Sequence, residues 1–334
     1  MLVLCVSVLV LDILAVDLPK VADPGELVFA PKGIEVHLGG HAANVSMDLR
    51  RLGLRKGDVG VAGAVGQDVF GDFVEKGLTR SGVVAHMQRF RGIHTGKCMI
   101  LVVRDEDRRF HGEPSPAPSP RHVLSILKRQ KPRIFYVGTT GVMGQMDYEL
   151  KDVLRKAKEI GCTTFVDPVV PHSHGWDYLD EALRCVDIFH SNDVEAASFT
   201  GERDPERALE AILEKGVGMA MVSLGDRGLL AANRRYKVRL PAFNVQAVDP
   251  TGAGDAFTSG VIHGILQTGA EKPLKAAELT LDRLLHVLVY GEAVGAACVM
   301  GVGTTSGVTR TRVDALMKSQ GGGVADCASI EEIR

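Results

Sequence analysis

Between residues 134 and 224, short apolar runs alternate with helical patterns, and this alternation constrains the fold more than any other feature. Residues 134–137, 163–166, 187–190 and 219–224 read as strands, the second leading into Asp167-Pro168. Residues 148–160, 192–199 and 207–214 read as helices. The first of these is apolar at Leu150, Val153, Leu154, Ala157 and Ile160 and is followed by Gly161. Strands alternating with helices build a parallel sheet covered on both faces. The predicted class is α/β with a doubly wound, mostly parallel sheet, and ligands on such sheets sit beyond the carboxyl ends of the strands.

The amino-terminal part is less regular. Residues 1–10 form a continuous apolar run, as expected for a strand buried on both faces. Residues 1–16 lack a basic leader and are interrupted by Asp12, so they read as a first strand rather than a signal peptide. Residues 42–52 read as a helix stopped at Gly53, 59–65 as a strand, 73–80 as a helix and 98–104 as a strand followed by the turn Asp105-Glu106-Asp107-Arg108-Arg109. The prolines of Glu113-Pro114-Ser115-Pro116-Ala117-Pro118-Ser119-Pro120 exclude helix and central strand. Two β-rich pieces, about 13–36 and 94–112, fit the βα pattern poorly and are expected to form a separate cover. The rest of 1–317 is one body. The tail, 318–334, with Gly321-Gly322-Gly323, is expected to be loosely held.

The formal net charge of −2 provides no basic field for nucleic acid or anionic lipid. No window reaches the ~20 apolar residues of a membrane helix. The six cysteines form no C-x-x-C and several lie in apolar runs, which fits free thiols in a reducing cytosol. His172 and His174 stand close together but without further ligands at metal-site spacing, and read as loop residues.

Asp249-Pro250-Thr251-Gly252-Ala253-Gly254-Asp255-Ala256-Phe257 runs directly into an apolar-periodic stretch over 258–267. Gly252, Ala253 and Gly254 let an anion approach the backbone where unpaired N–H groups of a helix start point outward. Asp255 stands at the mouth, placed to take a proton from an attacking hydroxyl. An N-capped surface helix after a glycine turn is the alternative. Gly39-Gly40-His41-Ala42-Ala43-Asn44 opens the helix that ends at Gly53. Its glycines admit close approach, Asn44 offers a donor and an acceptor to a sugar hydroxyl, and Asp12 could grip vicinal hydroxyls.

The segment 39–44 with Leu52-Gly53 resembles the first signature of the ribokinase-like (PfkB) carbohydrate kinase family, and 249–257 resembles the second. Val65-Gly66-Gln67-Asp68-Val69-Phe70-Gly71, Asn192-Asp193-Val194-Glu195 with Thr200-Gly201, and Ser223-Leu224-Gly225-Asp226-Arg227-Gly228 resemble three further segments, in order over roughly 1–317. The resemblance implies a Rossmann-like body with a small β-sheet lid and an ATP-dependent kinase. It implies Asp255 as base, 252–254 as anion hole, and Asp12, Gly39, Gly40 and Asn44 at the acceptor. It places Asn192, Ser223, Gly225 and Gly228 at the nucleotide, with Asn192 and Glu195 ordering Mg²⁺ through water. Asp249 and Thr251 fall where some members hold a monovalent cation such as K⁺, although Pro250 departs from the usual threonine. His41 and Glu113-Pro114-Ser115-Pro116 also depart from the family pattern near the acceptor.

The expected acceptor is a sugar or sugar-like polyol carrying a primary hydroxyl. A nucleoside is the alternative, and aromatics at 5% favour the sugar, although Phe29 and Phe110 could come from the lid. A non-catalytic sugar- or nucleotide-binding protein would be favoured by loss of Asp255, which is intact. A dinucleotide oxidoreductase lacks its Gly-x-Gly-x-x-Gly after the first strand. Walker and protein-kinase motifs are absent. A homodimer paired through the lid is expected to be compatible with such a fold.

Overall fold

The computed structural model describes every residue except Asp105, Asp107, Arg108, Ala270, Glu271, Lys272 and Arg334. The predicted turn at 105–109 therefore falls largely outside the described residues. The chain opens on β1 (Val3–Val6), in which every side chain is buried. Val3 and Cys5 join one apolar core, and Leu4 and Val6 the other. Both faces are covered, which is why the run shows no polar alternation.

The expected strand over 1–10 is interrupted at 7–9. Val8 N–H donates to Thr139 Oγ1 (3.1 Å), and Ser7 Oγ accepts from Ala42 N–H (2.9 Å). These bonds replace the sheet ladder and turn the chain into a second sheet, through β2 (Val10–Leu18) and β3 (Ile34–Gly39). Asp12, expected within the first strand, therefore lies on β2.

There follow α1 (His41–Arg51), β4 (Val59–Gly66), α2 (Val69–Arg80), β5 (Val84–Phe90), β6 (Gly96–Val103) and β7 (Arg109–Gly112). Asp68 caps α2, its side chain accepting from Gly71 N–H (2.7 Å). The proline-rich segment is irregular until α3 (Pro120–Gln130), which uses its proline in the first turn, where no N–H is needed. Next come β8 (Ile134–Thr140), α4 (Gln145–Tyr148), α5 (Leu150–Glu159), β9 (Thr163–Pro168), α6 (Asp177–Ala182), β10 (Ile188–Asn192), α7 (Asp193–Thr200), α8 (Pro205–Glu214), β11 (Met219–Ser223), β12 (Leu229–Asn233) and β13 (Tyr236–Leu240). The last part holds α9 (Ala253–Gln267), α10 (Leu281–Val299), α11 (Arg310–Leu316), α12 (Gly322–Asp326) and β14 (Ser329–Glu332).

The large sheet runs β14-β13-β12-β11-β10-β9-β8-β1-β4-β5 and the small one β3-β2-β6-β7. From β11 to β5 all neighbours are parallel, and β12, β13 and β14 extend the edge antiparallel. The small sheet buries Leu14, Val16 and Ile100 on its inner face. The tail is not loose. β14 pairs with β13 in register Tyr236↔Glu332 through Arg239↔Ser329. The glycines at 321–323 continue a helix rather than breaking the chain, because the preceding turn already fixes their backbone in helical geometry.

α9 and α10 pack closely over one face of the large sheet. A Cβ on Gly260 would lie 2.8 Å from Gly291 Cα and 2.9 Å from Val294 Cβ. The absence of side chains there brings the helices together and fixes where the N-terminus of α9 emerges.

Candidate active site

The site is built around the start of α9. Gly252 caps the helix with φ +82°, and a Cβ there would sit 2.4 Å from the Thr304 carbonyl oxygen. Only glycine combines that backbone with that contact. Asp249 fixes the turn: its Oδ1 accepts from Thr251 N–H (2.9 Å) and Thr251 Oγ1 (2.5 Å), and its Oδ2 from Gly303 N–H (2.8 Å). This ties the turn before α9 to the loop after α10.

Two cavities meet at this helix start. One, of about 300 Å³, is walled by Ser223, Gly225, Gly228, Ala253, Gly254 and Phe257. The other, of about 790 Å³, is walled by Asp12, Gly40, His41, Asn44, Gly252 and Asp255, among others. Of the residues expected at the nucleotide, Ser223, Gly225 and Gly228 thus share a cavity. Asn192 is the register partner of Ser223 across β10 and β11 but does not line it. Gly39 is one step removed from the second cavity and packs on Asp12: a Cβ there would fall 2.1 Å from Asp12 Oδ2.

Asp255 is 8% exposed. Its Oδ2 accepts from Asn44 Nδ2 (2.8 Å), while the buried Oδ1 and the buried Oδ1 of Asn44 have no hydrogen-bond partner. Buried polar atoms left bare cost free energy, so both mark places where a donor on a ligand is favoured. His41 Nδ1 stands 3.6 Å from Asp255 Oδ1. The Thr139 N–H points at the same nitrogen (3.3 Å), which suits the neutral ring, whereas pairing with Asp255 needs that nitrogen protonated. The two partners compete for one atom. Thr139 is held at φ +53°, an uncommon conformation for a side chain branched at Cβ.

Below Asp255 lies a polar layer that sequence reading did not assemble. Asp167, at the end of β9, accepts from Thr258 Oγ1 (3.0 Å) and Tyr136 OH (3.2 Å), with His190 Nδ1 3.3 Å away. His190 also meets Ser223 Oγ (3.2 Å). An Asp-Pro at a strand's carboxyl end was the available signal for Asp167. Nothing marked Thr139 or His190.

The charges interact. Burial raises the Asp255 carboxyl above the ordinary range, opposed by His41 and Asn44 and reinforced by Asp167. Burial would lower His41, but the carboxylates of Asp255, Asp167 and Glu195 outweigh it and raise the ring. Burial pushes Asp12 up to about 6, with His37 opposing and Asp255 adding. Burial alone would raise Asp167, yet His190, His41 and Thr258 together hold it low.

Asn192 and Glu195 form a reciprocal cap at α7: Glu195 N–H donates to Asn192 Oδ1 (2.8 Å) and Asn192 N–H to Glu195 Oε2 (2.9 Å). The other carboxylate oxygen of Glu195 has no protein partner among the described residues. Its acid is raised by burial and by Asp167, which places its charge within reach of the central polar layer. His174 Nε2 meets Asp147 Oδ2 (3.2 Å), an aspartate that also accepts two loop N–H groups, so His174 braces a loop. His172 lines the larger cavity, as do Glu113, Pro114, Ser115 and Phe110; Phe29 does not. The six cysteines form no disulfide. Among the described residues no helix is long and apolar enough to cross a membrane.

The model of the pfkB family carbohydrate kinases matches residues 6–310. The chain belongs to this family. PfkB kinases are phosphotransferases with an alcohol acceptor, and the chain is an enzyme of that class. It is 24% identical over 299 residues to a ribokinase of Haemophilus influenzae, covering 88% of this chain and 90% of that one. It is 27% identical over 304 residues to a 2-dehydro-3-deoxygluconokinase of Bacillus subtilis, covering 85% and 87%. A putative ribokinase II of E. coli, solved with ATP and Mg²⁺, superposes with a TM-score of 0.76 at 23% identity, covering 95% of this chain and 99% of that one. The ribokinase-like fold is thereby established, with its large mostly parallel sheet and separate small sheet.

Proposed function

We propose that this PfkB kinase transfers the γ-phosphoryl group of ATP to a primary hydroxyl of a sugar or sugar-like polyol, with Asp255 as the base. One observation carries the reading: the bare Oδ1 of Asp255 stands where two cavities meet at a helix start. The nucleotide occupies the cavity beside Gly225 and Gly228, the acceptor the one beside Asp12 and Asn44. The terminal phosphate lies against the backbone of 252–254, whose N–H groups and helix dipole favour negative charge.

In the reaction the acceptor oxygen bonds to the γ-phosphorus, its proton passes to Asp255 Oδ1, and the bond to the bridging oxygen breaks to release ADP. Phosphoryl transfer needs alignment and charge neutralisation more than covalent help. Asn44 Nδ2 fixes the rotation of the carboxylate, and a raised pKa makes Asp255 a better proton acceptor than a solvated aspartate. Asp12 accepts from acceptor hydroxyls. Bound Mg²⁺ supplies neutralisation of the phosphate oxygens; Glu195, with one oxygen outside the capping box, and Asn192 would hold its waters. Asp249 and Thr251, already bonded to each other, shape the turn behind the anion hole, where K⁺ would lie. Exchange of K⁺ for Na⁺ with kcat as readout tests that cation.

A nucleoside acceptor is the second reading, favoured by the exposed ring of Phe110 at the larger cavity. An ADP-release screen over pentoses, hexoses, polyols, deoxy sugar acids and nucleosides separates the two. Turnover with a sugar or polyol supports the first; turnover with nucleosides alone supports the second. ADP release that no acceptor stimulates would overturn both.

A further inference from the structure

Glu292 is an anomaly in the smaller cavity. It projects from α10 into a pocket otherwise walled by Phe243, Val245, Ala253, Phe257 and Val299. Among the described residues it makes no hydrogen bond and no ion pair. Glu292 is only partly exposed, and an unpaired carboxyl among apolar walls is costly, so a polar partner on a ligand in this cavity would stabilise it. The walls that face it from α9 and from the 242–250 segment are uncharged. The one other ionisable side chain lining the cavity is Asp226, on the turn after β11.

We propose that Glu292 selects the phosphoryl donor's base by pairing with the hydrogen-bonding edge of the purine. The proposal rests on reading this cavity as the nucleotide site. Apolar walls that include Phe243 and Phe257 suit a purine ring, but such walls cannot tell one purine from another. A single carboxyl can. As a neutral acid it offers one O–H donor and one carbonyl acceptor, which match adenine's N1 acceptor and N6 amino donor. As a carboxylate it offers two acceptors, which match the N1–H and N2 amino donors of guanine. Burial pushes Glu292 up to about 8, with no opposing neighbour. Near neutrality the acid form therefore prevails and adenine is preferred; above that range the carboxylate form shifts the preference toward guanine.

The test is direct binding, which needs no knowledge of the acceptor. Calorimetric titration with Mg·ATP and with Mg·GTP is run at about pH 6.5 and about pH 9 on wild type, Glu292→Gln and Glu292→Ala. Wild type should bind ATP roughly tenfold or more tighter than GTP at the lower pH, since a mismatched edge leaves buried groups unpaired. That ratio should shrink severalfold at the higher pH. Glu292→Gln, whose amide keeps one donor and one acceptor and cannot ionise, should hold the ratio constant, which also controls for titration of the nucleotides. Glu292→Ala should bring the ratio near one at both pH values. A wild-type ratio that does not move with pH, or an alanine variant that keeps the wild-type ratio, overturns the proposal while leaving the nucleotide site intact. Failure of wild type to bind either nucleotide overturns the nucleotide reading of the cavity, and this proposal with it.

Discussion

Asp12 and Asp255 are both buried carboxyls raised by desolvation, and they differ in what each is positioned to do. On the proposed function, Asp12 accepts from acceptor hydroxyls through both oxygens when ionised, and protonation turns one of them into a donor. With its pKa near 6, acceptor KM should rise as pH falls through that value and level off above it; a KM flat from about pH 5 to about pH 8 would contradict the assignment. Asp12→Ala should raise acceptor KM by roughly tenfold or more while leaving the KM for ATP near wild type. At this scale the sequence was most informative where a motif is contiguous: the glycine turn that starts α9 at 249–255 and the helix opening at 39–44 were both legible. The polar layer of Asp167, Thr258, Tyr136 and His190, and the Thr139–His41 contact at Asp255, were not, because their members come from separate strands and helices and no local pattern links them. His41 was visible only as a departure from the family pattern, with no hint that two partners compete for its Nδ1.

Elements carry the site by holding the start of α9 in place. Gly260→Ala would press a methyl into Gly291 and Val294. We expect destabilisation of about 1–3 kcal/mol, read by denaturant titration; unchanged stability would show that α9 and α10 can part freely. At the far edge of the large sheet, deletion of residues 329–334 removes the partner strand of β13. Melting temperature should fall while both KM values hold, since neither cavity includes β14. The parallel core was legible because strands buried on both faces have unbroken apolar runs. The same property hid the break at 7–9, where Val8 and Leu9 resume the apolar run straight after Ser7 and the turn is fixed by Thr139 and Ala42, remote in sequence. The tail misled for a related reason: three glycines suggest looseness, but the pairing of 329–332 depends on β13, some 90 residues earlier.

The whole molecule is a large sheet carrying the start of α9, with a separate small sheet carrying Asp12. Closure of such a cover excludes water as a competing acceptor. Leu14, Val16 and Ile100 are buried on the inner face of the small sheet, whereas on its outer face Ile13 aligns with Val36 and Met99, and the latter two are about half exposed. An apolar row of this kind is expected to pair with a second copy, so sedimentation should show a dimer that Val36→Lys with Met99→Lys converts to a monomer. A wild-type monomer at micromolar concentration would contradict that expectation.

On the proposed mechanism Asp255 takes the acceptor proton at the start of α9. Once an acceptor is identified, kcat of Asp255→Asn in a coupled ADP-release assay, alongside calorimetric titration of Mg·ATP, tests it most directly. Loss of the base should lower kcat by ~10² or more with Mg·ATP binding close to wild type. Turnover within a few-fold of wild type would contradict the account.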